Sequence, residues 1–121
     1  MAARRVAARL RHMLDAAIAA ERLVAGKSVE DYRADPDLAA AVERYLERLS
    51  EASRHVPEEL KAKHPTIDWR GVADIGNVLR HAYGQVSEHR VLDAVTEDLP
   101  ALKAAIEAML AELARGRGRD D

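Results

Sequence analysis

The chain has 121 residues, enough for one domain whose single core needs no metal ion or disulfide to hold it. It is 48% hydrophobic but only 3% aromatic, contains no cysteine and carries a formal net charge of −2. These values exclude disulfides, thiolate catalysis and cysteine-based zinc sites, and they disfavour binding of nucleic acid through bulk charge. The many alanines and leucines predict an all-α protein.

Arginines interrupt the N-terminal segment. Arg9 and Arg11 break any apolar stretch of the kind found in a secretion signal, and the sequence has no uncharged run near 18 residues that would predict a membrane span. We therefore expect no membrane association. Because the lack of cysteine fits a reducing compartment, we expect a cytoplasmic location.

The first predicted helix covers residues 2–25. Leu10, Leu14 and Ile18 recur every four residues, and Gly26 marks the end of the helix. Ser28 then begins a short helix, which must end before Pro36.

The second long helix is predicted from Pro36 to about His55, with Asp35 as its N-cap. Its apolar stripe consists of Leu38, Val42, Tyr45, Leu46, Leu49 and Ala52. A further short helix begins at Pro57 and ends before Pro65.

Asp68 is the predicted N-cap of a third long helix, which starts at Trp69 and ends or kinks at Gly84. Ser87 is the predicted N-cap of a long last helix, either straight or bent near Pro100. Residues 1–114 thus form the predicted domain, an up-and-down bundle of about four to five helices. Residues 115–121 have no apolar side chain and are predicted to be a disordered tail.

The third long helix carries the chemically informative residues. Asn77, Arg80, His81 and Tyr83 lie within seven positions of one another. Histidine exchanges protons near neutral pH, arginine binds phosphate at two points, and tyrosine offers a hydroxyl group that can be modified. This combination indicates phosphodiester chemistry.

The helical period divides this helix into three faces. The predicted core face consists of Val72, Ile75, Leu79, Ala82 and Val86. The face that points away from the core consists of Asp74, Asn77 and His81. A third stripe consists of Gly76, Arg80 and Tyr83, from which Arg80 can reach Tyr83 or a ligand.

Several segments, taken in order, match the pattern of one family. They are Gly26–Ser28, Asp31–Tyr32, Arg44–Glu47, Glu51–Ala52, Val56–Leu60, His64–Pro65, Ile67–Trp69 and Asn77–Tyr83. Over residues 4–113, roughly, the chain resembles the HepT-like toxins of the HEPN superfamily. The order and spacing of these segments carry the resemblance.

The resemblance implies a helical bundle that forms a homodimer, with an RNA-cleaving site in the cleft between protomers. It implies no cofactor and no metal ion, and a catalytic pair made of an arginine followed by a histidine. It also implies a partner, an antitoxin of the MNT-type nucleotidyltransferases, which adds AMP to the tyrosine two residues after the histidine. These residues correspond to His81 and Tyr83 here.

The arginine position departs from the family pattern, which reads Arg-Asn-x-x-x-His-x-Tyr. Gly76 stands where that arginine is expected, and Arg80 lies one helical turn later on the same stripe. A long side chain spans this distance, so Arg80 is a candidate substitute. The expected catalytic residues are His81, Arg80 and Asn77, supported by Asp74, with Tyr83 as the site of modification.

Two alternatives remain open. The first is a catalytically weak or silent HEPN-like module that dimerises and engages a nucleotidyltransferase, because Gly76 removes a charge that would stabilise the transition state. The second is a plain helical-bundle interaction domain, which fits the composition but leaves the polar cluster on the third long helix unexplained.

Overall fold

In the computed structural model, residues 2–81 and 87–120 are described, without the side chains of residues 80, 81 and 117–120. This part of the chain is all-α, as the composition predicts, and contains no strand. Its helices are α1 Ala2–Val24, α2 Val29–Ala34, α3 Pro36–Ser53, α4 Glu58–Lys61, α5 Trp69–His81, α6 Glu88–Asp93 and α7 Leu99–Asp120. A π-helical turn, Ala94–Asp98, joins α6 to α7.

Local signals set most helix boundaries. Gly26, with a φ of 73°, adopts the left-handed conformation just after α1 ends, as predicted. Ser28 and Asp31 form a complete capping box at α2, which lowers the pKa of Asp31 because its carboxylate accepts the Ser28 backbone N–H. The predicted caps Asp35 and Ser87 accept backbone N–H groups of α3 and α6.

Helix α1 lies at the centre of the bundle. It packs against α3 on one side and α7 on the other, and α3 in turn packs against α5. The largest fully buried apolar side chains of these helices and of the π-helical turn are Leu10, Met13, Val42, Leu49, Val95, Ile106 and Met109. An ion pair between Lys103 and Glu21, 2.6 Å apart, also joins α7 to α1. The core is thus built from aliphatic side chains, in accord with the low aromatic content.

The π-helical turn ends two residues before Pro100, close to the position where the sequence allows for a bend. Proline has no backbone N–H, and its ring crowds the carbonyl of the residue four positions earlier. The Leu99 N–H bonds the Ala94 carbonyl, and the Thr96 hydroxyl donates to the Leu92 carbonyl at 2.9 Å. The wider turn therefore places Pro100 inside a long helical segment without breaking it.

Helix α7 continues past Ala114, the predicted end of the packed domain, to Asp120. Its residues 114–116 are exposed, so the helix has left the core by that point. The division into a domain, 1–114, and a disordered tail, 115–121, stays a prediction. Within residues 2–81 and 87–120, no helix has the length and apolar character needed to cross a membrane.

Tyr32 is a buried residue of α2 with an unusual environment. The side chain is 3% exposed, and its hydroxyl has no hydrogen-bond partner among the described residues. Burial, reinforced by the nearby Glu43 and Glu88 carboxylates, raises the pKa of Tyr32 to about 12. The unfolded chain ionises first, near the usual pKa of about 10. This residue therefore lowers the stability of the fold as the pH rises from about 10 towards 12.

We predict that Tyr32→Phe leaves the free energy of unfolding unchanged or raises it by about 1 kcal/mol at pH 7, since the buried hydroxyl finds no partner in the described part of the chain. The variant should also lose less stability above pH 10. Urea unfolding across this pH range measures both effects. Tyr45→Phe is the matched control, because it keeps the Tyr32 hydroxyl and should follow the parent. A loss above 1 kcal/mol at pH 7 in Tyr32→Phe would contradict this account.

Candidate functional site

Helix α5 is fixed at its beginning by Asp68 and Trp69. The Gly71 N–H donates to Asp68 Oδ1 at 3.0 Å, which confirms the predicted N-cap. A side chain at Gly71 would collide with this carboxylate, because a Cβ there would lie 2.4 Å from Oδ2. Trp69 Nε1 donates to the carbonyls of Lys61 and His64 at 3.2 and 3.1 Å. Trp69 therefore serves packing.

The predicted core face of α5 is confirmed where the structure describes it. Val72, Ile75 and Leu79 are partly buried and pack against the main hydrophobic core. The other two predicted members, Ala82 and Val86, lie outside the described residues. This contact fixes the rotation of α5 and so determines which residues face solvent.

A second contact of α5 is polar and involves two residues of the α3 region. The buried Ser50 hydroxyl donates to the Ala73 carbonyl at 2.8 Å and accepts the Gly76 N–H at 3.1 Å. Arg54 donates to the same carbonyl through Nε at 3.2 Å and Nη2 at 2.9 Å. We call Ser50, Arg54, Ala73 and Gly76 the α3–α5 junction. It joins the two helices through one carbonyl and one N–H group.

Gly76 is buried within this junction. The third stripe of the sequence analysis therefore faces α3 at this turn and is not open to a ligand there. The resemblance leads us to expect an arginine at this position, and Gly76 instead contacts Ser50 of α3 there.

The solvent face of α5 carries Asp74 and Asn77, both exposed as predicted. Asn77 Nδ2 lies 3.5 Å from Asp74 Oδ1, at the outer limit of a hydrogen bond. Val78 stands beside them and is 44% exposed, one of the two large apolar side chains at the described surface. This polar face with an exposed apolar residue is the candidate functional surface.

The structure describes the remaining candidate residues only in part. The backbone of Arg80 and His81 forms the last turn of α5, but their side chains lie outside the described residues, as does the whole of Tyr83. Their roles stay predictions. Among the described residues, no cluster of three or more histidine, aspartate or glutamate side chains could hold a metal ion.

A separate open groove of about 740 Å³ runs between α1 and α3. It contains no residue of α5, so it is distinct from the candidate surface. Its charged and aromatic lining consists of Arg9, His12, Asp15, Arg22, Arg44, Tyr45, Glu47, Arg48 and Glu51. The lining thus contains four arginines and three carboxylates, so the groove does not strongly favour a ligand of either charge.

Ser50 and Arg54 are not among the functional residues expected from the sequence. One signal was available, because Ser50 is a polar residue next to the apolar stripe of α3, and Arg54 follows it by one helical turn. Nothing in the sequence indicates that these two residues meet Ala73 and Gly76, which lie 19 to 26 positions further on.

Comparisons with known proteins converge on one family. The family model described as "Ribonuclease HepT-like" matches residues 13–109. A protein from Thermococcus cleftensis named "Probable ribonuclease HepT" is 39% identical over 80 residues, which cover 66% of this chain and 73% of that protein. "Putative RNase TTE0752" from Caldanaerobacter subterraneus subsp. tengcongensis is 31% identical over 87 residues, covering 72% and 78%. No solved structure matches the chain significantly.

We predict that Ser50→Ala lowers the free energy of unfolding by about 1–3 kcal/mol, because it removes both hydrogen bonds of the hydroxyl to α5. It should also speed hydrogen exchange of the Gly76 amide. Ser53→Ala is the matched control, since this equally buried hydroxyl bonds only the Ser50 carbonyl within its own helix. Urea unfolding and amide exchange measure the two effects. An equal loss in both variants would contradict the account of the junction.

Proposed function

Because the chain belongs to the HepT-like ribonuclease family, we propose that it is the toxin component of a HEPN/MNT-type toxin–antitoxin pair. In this proposal it is a metal-independent endoribonuclease of the cytoplasm, and its RNA-cleaving site lies in the cleft of a homodimer. The observation that carries the proposal is the polar surface of α5, where Asp74 and Asn77 are exposed opposite the core face. Arg80 and His81 are the last described residues of the helix that displays this surface.

The proposed reaction is an attack of a ribose 2′-hydroxyl on the adjacent phosphorus. The new P–O2′ bond forms a cyclic phosphate while the P–O5′ bond breaks. His81 takes the proton from the 2′-hydroxyl or gives one to the leaving 5′-oxygen. Arg80 stabilises the charge on the phosphoryl oxygens, and Asn77 orients the imidazole or binds the RNA.

The proposed dimer pairs the solvent faces of α5 from two protomers. Exposure of Val78 beside Asp74 and Asn77 supports this, because a large apolar side chain on a polar helix face gains free energy when a partner covers it. A two-fold axis through this surface would bring the two polar faces together in one cleft.

A second candidate is a catalytically weak or silent module that dimerises and engages a nucleotidyltransferase. The burial of Gly76 favours it, because no arginine acts from that position. A loss of about 3 kcal/mol of transition-state stabilisation slows a reaction more than about a hundredfold. The measured cleavage rate of the parent protein distinguishes the two candidates.

We predict that His81→Ala lowers the rate of RNA cleavage by about a hundredfold or more and relieves toxicity in cells, since it removes the proton-transfer group. Arg80→Ala should do nearly the same. Helical content, from circular dichroism, should match the parent in both. His89→Ala, at an exposed position of α6, is the matched control and should cleave normally. Normal cleavage by Arg80→Ala would overturn its role as the substitute arginine, and a parent that cleaves no RNA would favour the silent module.

The proposed point of control is Tyr83. An antitoxin of the MNT type would transfer AMP to its hydroxyl, so that the tyrosyl oxygen bonds the α-phosphorus of ATP and pyrophosphate leaves. The added phosphate would place negative charge near Arg80, where the proposal has the RNA phosphate bind. One modification would therefore block the site and repel the substrate.

We predict that co-expression with an MNT-type nucleotidyltransferase adds AMP to Tyr83 and lowers the cleavage rate. Intact-mass and peptide mass spectrometry locate the adduct. Tyr83→Phe should lack it, whereas the control Tyr45→Phe should carry it. An adduct that persists in Tyr83→Phe would overturn the assignment.

A further inference from the structure

Arg54 combines exposure with a fixed position. It lies just after the last residue of α3, and its side chain reaches the solvent. Both Nε and Nη2 donate to the Ala73 carbonyl of α5, at 3.2 and 2.9 Å. Most exposed arginines sample many rotamers, and ordering one costs free energy whenever it binds a ligand. In Arg54 the two hydrogen bonds to Ala73 already restrict the side-chain rotamers, so a ligand need not order this side chain when it binds.

The guanidinium retains binding capacity in this position. It has five N–H donors, and the Ala73 carbonyl occupies two of them. The carbonyl is neutral, and none of the ion pairs found among the described residues involves Arg54. Arg54 therefore presents a full positive charge and three remaining donors, which suits an oxyanion with several acceptor oxygens.

The location of this charge relates it to the polar surface of α5. Ala73 directly precedes Asp74, and Asn77 follows Ala73 by one turn, within about 40° around the helix axis. The charge thus lies at the edge of the exposed polar face. Ser50 already bonds the same carbonyl from a buried position, so contact between α3 and α5 does not depend on a charged group at residue 54.

We propose that Arg54 is a phosphate-binding residue, which holds a backbone phosphate of the RNA at the edge of the α5 polar face. This inference rests on the proposed RNA substrate. It assigns a cation from the residue that follows α3 to a surface whose other proposed residues all lie on α5 or follow it. The Arg54 guanidinium, which the fold holds in place, thus supplies part of the positive charge that is missing because residue 76 is a glycine.

The test measures binding of a single-stranded RNA oligonucleotide that is 2′-O-methylated throughout and so cannot be cleaved. Fluorescence anisotropy at several salt concentrations gives the slope of log K against log salt for the parent, Arg54→Gln and Arg54→Lys. Loss of one phosphate contact should reduce the slope by about 0.7 and weaken binding about fivefold at low salt in Arg54→Gln. Arg54→Lys keeps the charge and should keep the slope.

Arg33→Gln is the matched control. Arg33→Gln makes the same charge change on α2, where among the described residues the exposed Arg33 pairs with Glu88. Arg33 precedes the start of α3 and Arg54 follows its end, about 27 Å away along a helix of 18 residues. The slope and affinity of this variant should equal those of the parent. Thermal unfolding of each variant separates loss of the fold from loss of the contact.

Each outcome decides the inference. An unchanged slope in Arg54→Gln, or a slope that falls equally in Arg54→Lys and Arg54→Gln, would overturn it. A parent that binds no RNA would overturn both the inference and the proposed function. Cleavage of unmodified RNA is measured in parallel: a parent that binds RNA through Arg54 but cleaves none would support the phosphate contact and contradict the nuclease.

Discussion

The position of the candidate site depends on the two hydrogen bonds of the Ser50 hydroxyl. Because this hydroxyl both donates to Ala73 and accepts from Gly76, it fixes the distance between α3 and α5 and the position of α5 along its axis. Apolar packing of Val72, Ile75 and Leu79 sets the rotation of the same helix. Apolar burial is non-directional and does not by itself fix the position of α5 along its axis. A hydrogen bond does so because it requires a specific distance and angle. Together the two contacts hold the polar face of α5 outward.

The same contact involves Gly76, which stands where the resemblance to the family leads us to expect an arginine. The Gly76 N–H donates to the buried Ser50 hydroxyl of α3. In the proposed function, the positive charge of the site therefore comes from other residues. Arg80 on α5 and Arg54 beside α3 are the two sources that the proposals name, and they approach the polar face from different helices.

Features encoded by neighbouring residues could be predicted from the sequence. The caps at Ser28 and Asp68 and the turn at Gly26 each depend on groups within three or four positions of one another, and all three are confirmed. The outward direction of Asp74 and Asn77 follows from the helical period and is also confirmed.

Features that join distant segments could not be predicted. The bonds from Ser50 and Arg54 to Ala73 connect residues 19 to 23 positions apart, and no local pattern specifies them. Pro100 predicts an irregularity nearby, but the sequence does not specify that this irregularity is a π-helical turn over Ala94–Asp98. The roles of Arg80, His81 and Tyr83 stay predictions.

The chemical nature of the cleaved ends tests the central claim most directly. The parent protein is incubated with single-stranded RNA in the presence of a chelator, and the new termini are identified by mass spectrometry. Attack by the 2′-hydroxyl without a metal ion predicts a 2′,3′-cyclic phosphate on one fragment and a 5′-hydroxyl on the other. Fragments that carry a 5′-phosphate and a 3′-hydroxyl, or cleavage that the chelator abolishes, would contradict the account.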